Sequence, residues 1–328
     1  MKTTKARTRA ERASTWRLTV ASRYGLLGLL VLLVVAFSLA IPDLFPTYVN
    51  IRTILSTQSV LAIVAIAMII PLVVGEFDLS AASNLGLSAI LVTGLISKSG
   101  LGIEVAIIVA IGASTLIGLT TGLLVTRLGI NSLITSLGMI TVISGVVLAY
   151  TKGMPIYENI PQSFREISQF TIGGMPLPVF YMAFIALFVW YVLEQTPIGR
   201  RMYAVGGSKV AARLAGINTK QLTLLAFVAC GFLAGIAGVL TAARIGSGNP
   251  TVGPGYMLPA FAACFLGASA IKPGTFNVLG TVLAIFTIAV GVTGLELLGV
   301  PVWVEPLFNG VALIGAVALT RYLRREPV

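Results

Sequence analysis

Ile54-Leu-Ser-Thr-Gln-Ser-Val-Leu-Ala-Ile-Val-Ala-Ile-Ala-Met-Ile-Ile-Pro-Leu-Val-Val-Gly75 contains no Asp, Glu, Lys or Arg. A bilayer core about 30 Å thick is crossed by roughly 20 helical residues, so this stretch reads as a membrane-spanning helix interrupted near its end by Pro71. Working outward, the same criterion gives ten spans, at 24–42, 54–75, 80–97, 103–126, 131–150, 178–194, 222–244, 257–270, 276–299 and 302–320. The stretch at 257–270 is short for a full crossing and is expected to be tilted or re-entrant. Composition agrees with the span count. Of 328 residues, 57% are apolar and 10% charged, where a soluble domain carries about a quarter charged residues; the mean hydropathy is +0.98. The expected fold is an all-α polytopic membrane protein of about ten transmembrane helices.

Ten crossings put both termini on one side. The net charge of +11 comes from cations gathered at the ends of apolar runs, which is the pattern of membrane topology rather than of a nucleic-acid-binding surface. With the termini in the cytoplasm, seventeen of the 22 cations fall inside and Arg52, Lys98, Lys152, Arg165 and Arg244 fall outside, as the positive-inside rule requires. The expected organisation is a basic cytoplasmic tail at 1–23, a membrane domain at 24–320 and a cytoplasmic tail at 321–328. Residues 24–42 are read as a retained anchor rather than a signal peptide cleaved after Ser38-Leu39-Ala40, because the run is long enough to span a bilayer. Two connections are long, an outer one at 151–177 and an inner one at 195–221. Loops of that length in a compact protein tend to be functional.

Several chemistries are excluded by what the chain lacks. It contains no histidine, which removes the usual general base and the commonest metal ligand, and no metal or cofactor is expected. Cys230 and Cys264 both lie in apolar runs and form no disulfide framework. Glu76 and Asp78 could be paired carboxylates, but a solvated pair, or Asp78 and Ser80 capping the third span, fits better. No nucleophile–base pair points to an intramembrane enzyme. Gly206-Gly207-Ser208-Lys209 lacks the upstream glycine of a phosphate-binding loop. Among 35 glycines, Gly118 with Gly122 and Gly231 with Gly235 have the spacing that lets helix backbones approach closely. Ile117–Leu124 and Leu233–Leu240 resemble one another, as inverted repeats or as two similar packing faces. The stretch Gly246-Ser-Gly-Asn-Pro-Thr-Val-Gly-Pro-Gly255 is irregular and reads either as the wall of a polar pathway or as a simple turn.

The inner connection reads Gly199-Arg-Arg-Met-Tyr-Ala-Val-Gly-Gly-Ser-Lys-Val-Ala-Ala-Arg-Leu-Ala-Gly-Ile217. Ser208 is placed to cap a short helix that begins near Lys209 and ends at Gly216. Gly207 is a candidate for positive φ. Ala211, Ala212 and Ala215 give that helix a thin face able to enter a partner's groove, framed by Arg200, Arg201 and Arg213.

This loop resembles the membrane permeases of bacterial ABC importers of the ribose type, whose signature looks like G-R-x-x-Y-A-x-G-G-x-x-x-A-A-x-x-x-G-I. Gly199, Arg200, Tyr203, Ala204, Gly206, Gly207, Ala211, Ala212, Gly216 and Ile217 match it. So do Asp78-Leu79-Ser80 after Gly75, and Pro250-Thr251 with Gly253, Gly255 and Tyr256. The resemblance runs from about residue 50 to 320. It implies a type II importer architecture, with a second permease copy, identical or related, and cytoplasmic ABC ATPase subunits. An extracytoplasmic sugar-binding protein would deliver the solute, and Gly199–Ile217 would dock on the ATPase as the coupling element. Departures are Glu76 where the family often has glycine, Met257-Leu258-Pro259-Ala260 where it often has E-L-D-A, and a reduced glycine run at Ala268–Gly274. Asp78, Ser80, Asn249, Pro250, Tyr256 and Asn277 are the candidate pathway or gate residues. The competing reading is a sugar carrier coupled to an ion gradient.

Overall fold

The computed structural model describes residues 9–301 and 303–323, with side chains from Tyr24 onward except at 312 and 316–323. Residues 1–8 of the basic tail and 324–328 of the C-terminal tail lie outside the described residues. The helices are α1 (Arg9–Ala40), α2 (Tyr48–Val73), α3 (Ser80–Ser97), α4 (Ile103–Thr126), α5 (Ser132–Thr151), α6 (Gln162–Gln169), α7 (Leu177–Gln195), α8 (Pro197–Gly207), α9 (Lys209–Leu214), α10 (Thr219–Ile245), α11 (Pro254–Gly267), α12 (Val278–Leu297) and α13 (Val304–Leu323). Seven of them (α2, α3, α4, α5, α7, α10 and α12) are long and apolar enough to cross a membrane. Shorter apolar helices at Tyr24–Ala40, Pro254–Gly267 and Val304–Gly315 occupy the other three expected spans.

Helix ends follow the polar caps. Thr47 accepts from the Asn50 amide and starts α2 six residues before the apolar run does. Asn131, Asn218 and Asn277 cap α5, α10 and α12 in the same way. Pro71 does not break α2. It sits in the last turn, and the helix continues to Val73.

The core is built around α2 and α3. From Val60 to Val74 nearly every α2 side chain is buried, and α3 buries Ser83, Asn84, Ser88 and Thr93 as well as its apolar residues. Buried hydroxyls stay in an apolar interior by bonding to backbone. Ser88 donates to the Gly235 carbonyl at 2.8 Å, and Asn84 donates to the Ser114 carbonyl at 2.9 Å. At the crossing of α4 and α10 the backbones meet through glycine. A Cβ on Gly118 would overlap the Phe227 carbonyl oxygen and lie 3.0 Å from the Gly231 Cα; one on Gly231 would lie 2.6 Å from the Ser114 carbonyl oxygen. The two glycine pairs therefore lie on one helix crossing, Gly118 against Gly231, as small-residue faces do in membranes. The look-alike stretches Ile117–Leu124 and Leu233–Leu240 are offset, since Gly122 meets Leu224 and Phe227 while Gly235 meets Ile111 and Ser114.

Between α10 and α11 the chain descends as open backbone along α3. Gly248 lies against Thr93, and Gly253 lies against Ala82 and Gly86. Thr93 and Ala82 are separated by about 16 Å of helix at 1.5 Å per residue. The irregular stretch is therefore no simple turn: it runs along α3 and leads into the short helix α11. Gly248 exchanges backbone hydrogen bonds of 2.8 Å with Ile156, so irregular backbone inside the bundle is held by protein. The 151–177 connection folds over the same end. It contains α6 and a two-stranded hairpin, β1 (Thr171–Ile172) with β2 (Met175–Pro176), joined through Gly173 and Gly174 at φ 58° and 83°. Two positive-φ residues in a two-residue loop match the twist of a hairpin. Ser168 of α6 donates to the Leu240 carbonyl at 2.9 Å and fixes the connection to α10.

Candidate functional site

The 195–221 connection contains two helices, not the one expected from sequence. Thr196 caps α8, with Pro197 at its first position; proline suits that place because the amide it lacks has no partner there. Ser208 ends α8 and caps α9 by accepting from the Ala211 amide at 3.2 Å. Gly216, at φ 80°, turns the chain into α10.

The base of this element is fastened to two other connections, α2–α3 and α11–α12. Gly206, in the last turn of α8, faces the end of α2: a Cβ there would overlap the Val73 carbonyl oxygen, and Gly75 lies opposite at φ 82°. Gly207 has open space around it and no positive φ. The tight glycine of the pair is therefore Gly206, and the positive φ expected of Gly207 is absent. Tyr203 donates its hydroxyl to the Phe276 carbonyl at 2.8 Å. Burial, reinforced by the nearby Glu194 carboxylate, pushes the Tyr203 phenol up to about 12, so the group stays protonated and able to donate across the physiological range. Lys272, beyond α11, pairs with Glu194 at the end of α7 at 2.6 Å. Lys209 pairs with Glu76, the residue that departs from the resembled pattern. Phe77, Phe265 and Phe276 complete the junction, Phe265 meeting Phe276 edge-on at 5.3 Å.

The tip points away from the bundle. Arg200, Arg201, Ala204, Ala211, Arg213 and Ala215 are exposed, whereas Gly199 and Ala212 are buried. The thin face of α9 is thus Ala211 and Ala215, and Ala212 packs inward. Sequence reasoning passed over Val210 and Leu214, which are 72% and 85% exposed. Large apolar side chains exposed on a charged loop mark an interaction surface, and their placement on a six-residue capped helix was the available signal.

The other predicted residues separate by role. Asp78 is buried and accepts from the Ser80 amide at 3.0 Å and the Ser80 hydroxyl at 2.5 Å, a local cap at the start of α3. Burial raises its carboxyl above the ordinary value, opposed by those bonds. Asn277 is fully buried; its amide nitrogen donates to the Gly267, Ala270 and Thr275 carbonyls and its oxygen caps α12. The fold takes up its polar atoms, and it presents no wall to a pathway. Asn249 is exposed and closes a turn on Thr251. Pro250 follows it in the descending stretch, and Tyr256 packs half-buried against the main core. Gly253 packs on Ala82 and Ser83, which sets the 249–256 stretch beside the start of α3, where Asp78 and Ser80 lie.

A loop tied at its base and bare at its tip can pass motion between helix ends and a partner. A family model described as branched-chain amino acid transport system / permease component matches residues 50–317. The chain belongs to that permease family. Among its relatives, a ribose import permease protein of Escherichia coli (strain K12) is 35% identical over 299 residues, covering 89% of this chain and 91% of the relative. An L-arabinose ABC transporter permease protein of Azospirillum brasilense is 29% identical, covering 96% and 91%. An autoinducer 2 import system permease protein of Enterobacter sp. (strain 638) is 31% identical, covering 85% and 82%. No solved structure matches the chain. The permease is therefore a multi-pass protein of the bacterial inner membrane and a transport subunit of an ABC importer.

The Lys209–Glu76 pair yields a direct test of the junction. Lys209→Glu places like charges together and is expected to slow uptake about tenfold, equivalent to about 1.4 kcal/mol. Glu76→Lys should do the same, and the double exchange should recover most of the loss. Transport assays of the three variants at equal membrane abundance check this; absence of recovery in the double variant removes the pair from the junction.

Proposed function

We propose that the permease carries a monosaccharide or related small polar solute delivered by an extracytoplasmic binding protein. The drive comes from separate cytoplasmic ATPase subunits, and a second permease copy, identical or related, completes the pathway. In this reading the chain crosses the membrane ten times with both termini in the cytoplasm, and the 195–221 element lies on the cytoplasmic side. Residues 1–23 and 321–328 are then the flanking tails of the 24–320 domain. Gly199, Arg200, Arg201, Tyr203, Ala204, Gly206, Gly207, Ala211, Ala212, Arg213 and Gly216 form the coupling element. Asp78, Ser80, Asn249, Pro250 and Tyr256 stay candidates for the pathway or its gate.

The observation that carries this reading is the polarity of the 195–221 element. Its base holds the α2–α3 and α11–α12 connections, while its tip exposes Val210, Leu214 and three arginines. ATP-driven closure of a partner under that tip would pull on both connections together, and on α7, which runs into the element. An ion-coupled carrier would instead keep ionisable groups available inside the membrane. The buried acids among the described residues are Glu76 and Asp78, and both are engaged, with Lys209 and with Ser80.

Purification in mild detergent from the native cell is expected to bring a stoichiometric ATPase with the wild-type chain. Leu214→Glu should reduce that recovery at least about tenfold, because a charge would replace the exposed apolar side chain that the partner would cover, while leaving insertion unchanged. A chain that runs alone and, reconstituted by itself, moves sugar down an ion gradient would establish the carrier instead.

A further inference from the structure

A cavity of about 330 Å³ opens between α2, α11, α12 and α13, at the end opposite the 195–221 element. Its volume is at the lower end of small-molecule sites, about 300–1,000 Å³. Thr57 and Gln58 on α2, Thr293 and Glu296 on α12, and Glu305 and Asn309 on α13 supply polar walls above an apolar floor. No lysine or arginine lines it, and neither glutamate forms an ion pair among the described residues. Asn309 is 7% exposed and its side-chain oxygen has no hydrogen-bond partner. A buried amide oxygen left unpaired is costly and rarely retained without a ligand or water.

We propose that this cavity is an entry subsite for a hydroxyl-rich solute, neutral or amine-bearing, and that it rejects anionic sugars. The proposal deepens the importer reading and rests on its assignment of this end to the outside. The chemistry follows from the donor and acceptor inventory. Two carboxylates and an unpartnered amide oxygen are acceptors, and a sugar presents several O–H donors. The threonine hydroxyls and the Gln58 amide both donate and accept, so they complete the shell around a polyol. A carboxylate or phosphate on the solute would add a third negative charge beside two uncompensated ones and be repelled. An ammonium group would be attracted.

The test uses the full chain in intact cells with its native partners. Thr293→Cys places a thiol in the cavity wall, and Cys230 and Cys264 are fully buried, so wild type supplies a low background. A membrane-impermeant maleimide is added outside, with D-ribose, D-glucosamine or D-glucuronate as competing solutes. A subsite with a Kd of roughly 10 mM slows labelling about sixfold at about 50 mM solute, the factor being 1 + [L]/Kd. D-Ribose and D-glucosamine should protect and D-glucuronate should not. Asn309→Leu should remove the protection while labelling persists, and Glu296→Gln with Glu305→Gln should let D-glucuronate protect. Labelling from outside with no protection, or with equal protection by all three sugars, overturns the subsite and leaves the importer reading standing. Labelling only after permeabilisation overturns the assignment of this end to the outside. Thr57→Cys on the facing wall repeats the test should Thr293→Cys fail to reach the membrane.

Discussion

Gly118→Val is expected to leave little folded protein in the membrane. The α4–α10 crossing is a backbone contact, with the Gly118 and Gly231 positions each occupying the space a partner's Cβ would need. A valine there overlaps the Phe227 carbonyl, and that atom belongs to a helix held on its other face by α3 and α2. Overpacking a core ordinarily costs about 1–3 kcal/mol. Here neither helix can yield by a rotamer change, so the cost falls at or above that range, against a total stability of roughly 5–15 kcal/mol. Membrane abundance and a monodisperse detergent profile should both collapse. Gly112→Ala is the internal control: nothing lies within 4 Å of the added Cβ, and alanine favours the helix by about 1 kcal/mol. Gly118→Val at wild-type abundance would show that the crossing can open.

Gly206→Val is expected to give the opposite phenotype, a well-inserted permease that transports poorly. At Gly206, α8 touches the α2 end backbone to backbone, through Val73 and Gly75. A side chain there lifts α8 away and weakens the Lys209–Glu76 and Tyr203–Phe276 links that depend on the same seating. The buried body of the bundle is not involved, so abundance and ATPase recovery should hold. Uptake should fall more than about tenfold, equivalent to at least about 1.4 kcal/mol, while ATP hydrolysis continues. Gly207→Val, whose Cβ meets open space, should transport near normally. Equal uptake by the Gly206 and Gly207 variants would show that seating at α2 is not how the loop reaches the helices.

The helices were legible because lipid imposes a simple rule on sequence, a run of apolar residues as long as the bilayer is thick. The 80–97 and 103–126 boundaries follow to the residue, and the Asn131, Asn218 and Asn277 caps explain the small shifts elsewhere. Three things were not legible, all for the same reason. Glu76 pairs with Lys209, Gly118 meets Gly231, and Gly248 lies on Thr93; each partner is remote in the chain, and residue type alone names no partner. The glycine pair at 206–207 shows the limit most sharply. Adjacent and identical in type, one glycine is indispensable to packing and the other is free, a difference that exists only once α2 is beside them. Asn277 misled for a related reason, since an asparagine in an apolar context signals either a solute or a cap, and only the geometry distinguishes them.

The open backbone at 246–253 changes how the bundle can deform. A continuous helix is stiff along its length, because bending it strains a ladder of hydrogen bonds in series. The neighbouring segment, an open run of turns leading into α11, has no such ladder in its first part and is held there by short contacts such as those of Gly248, Asn249 and Gly253. Compliance is therefore concentrated beside α3, the most rigidly embedded helix. A change of width at that place would break no helical ladder.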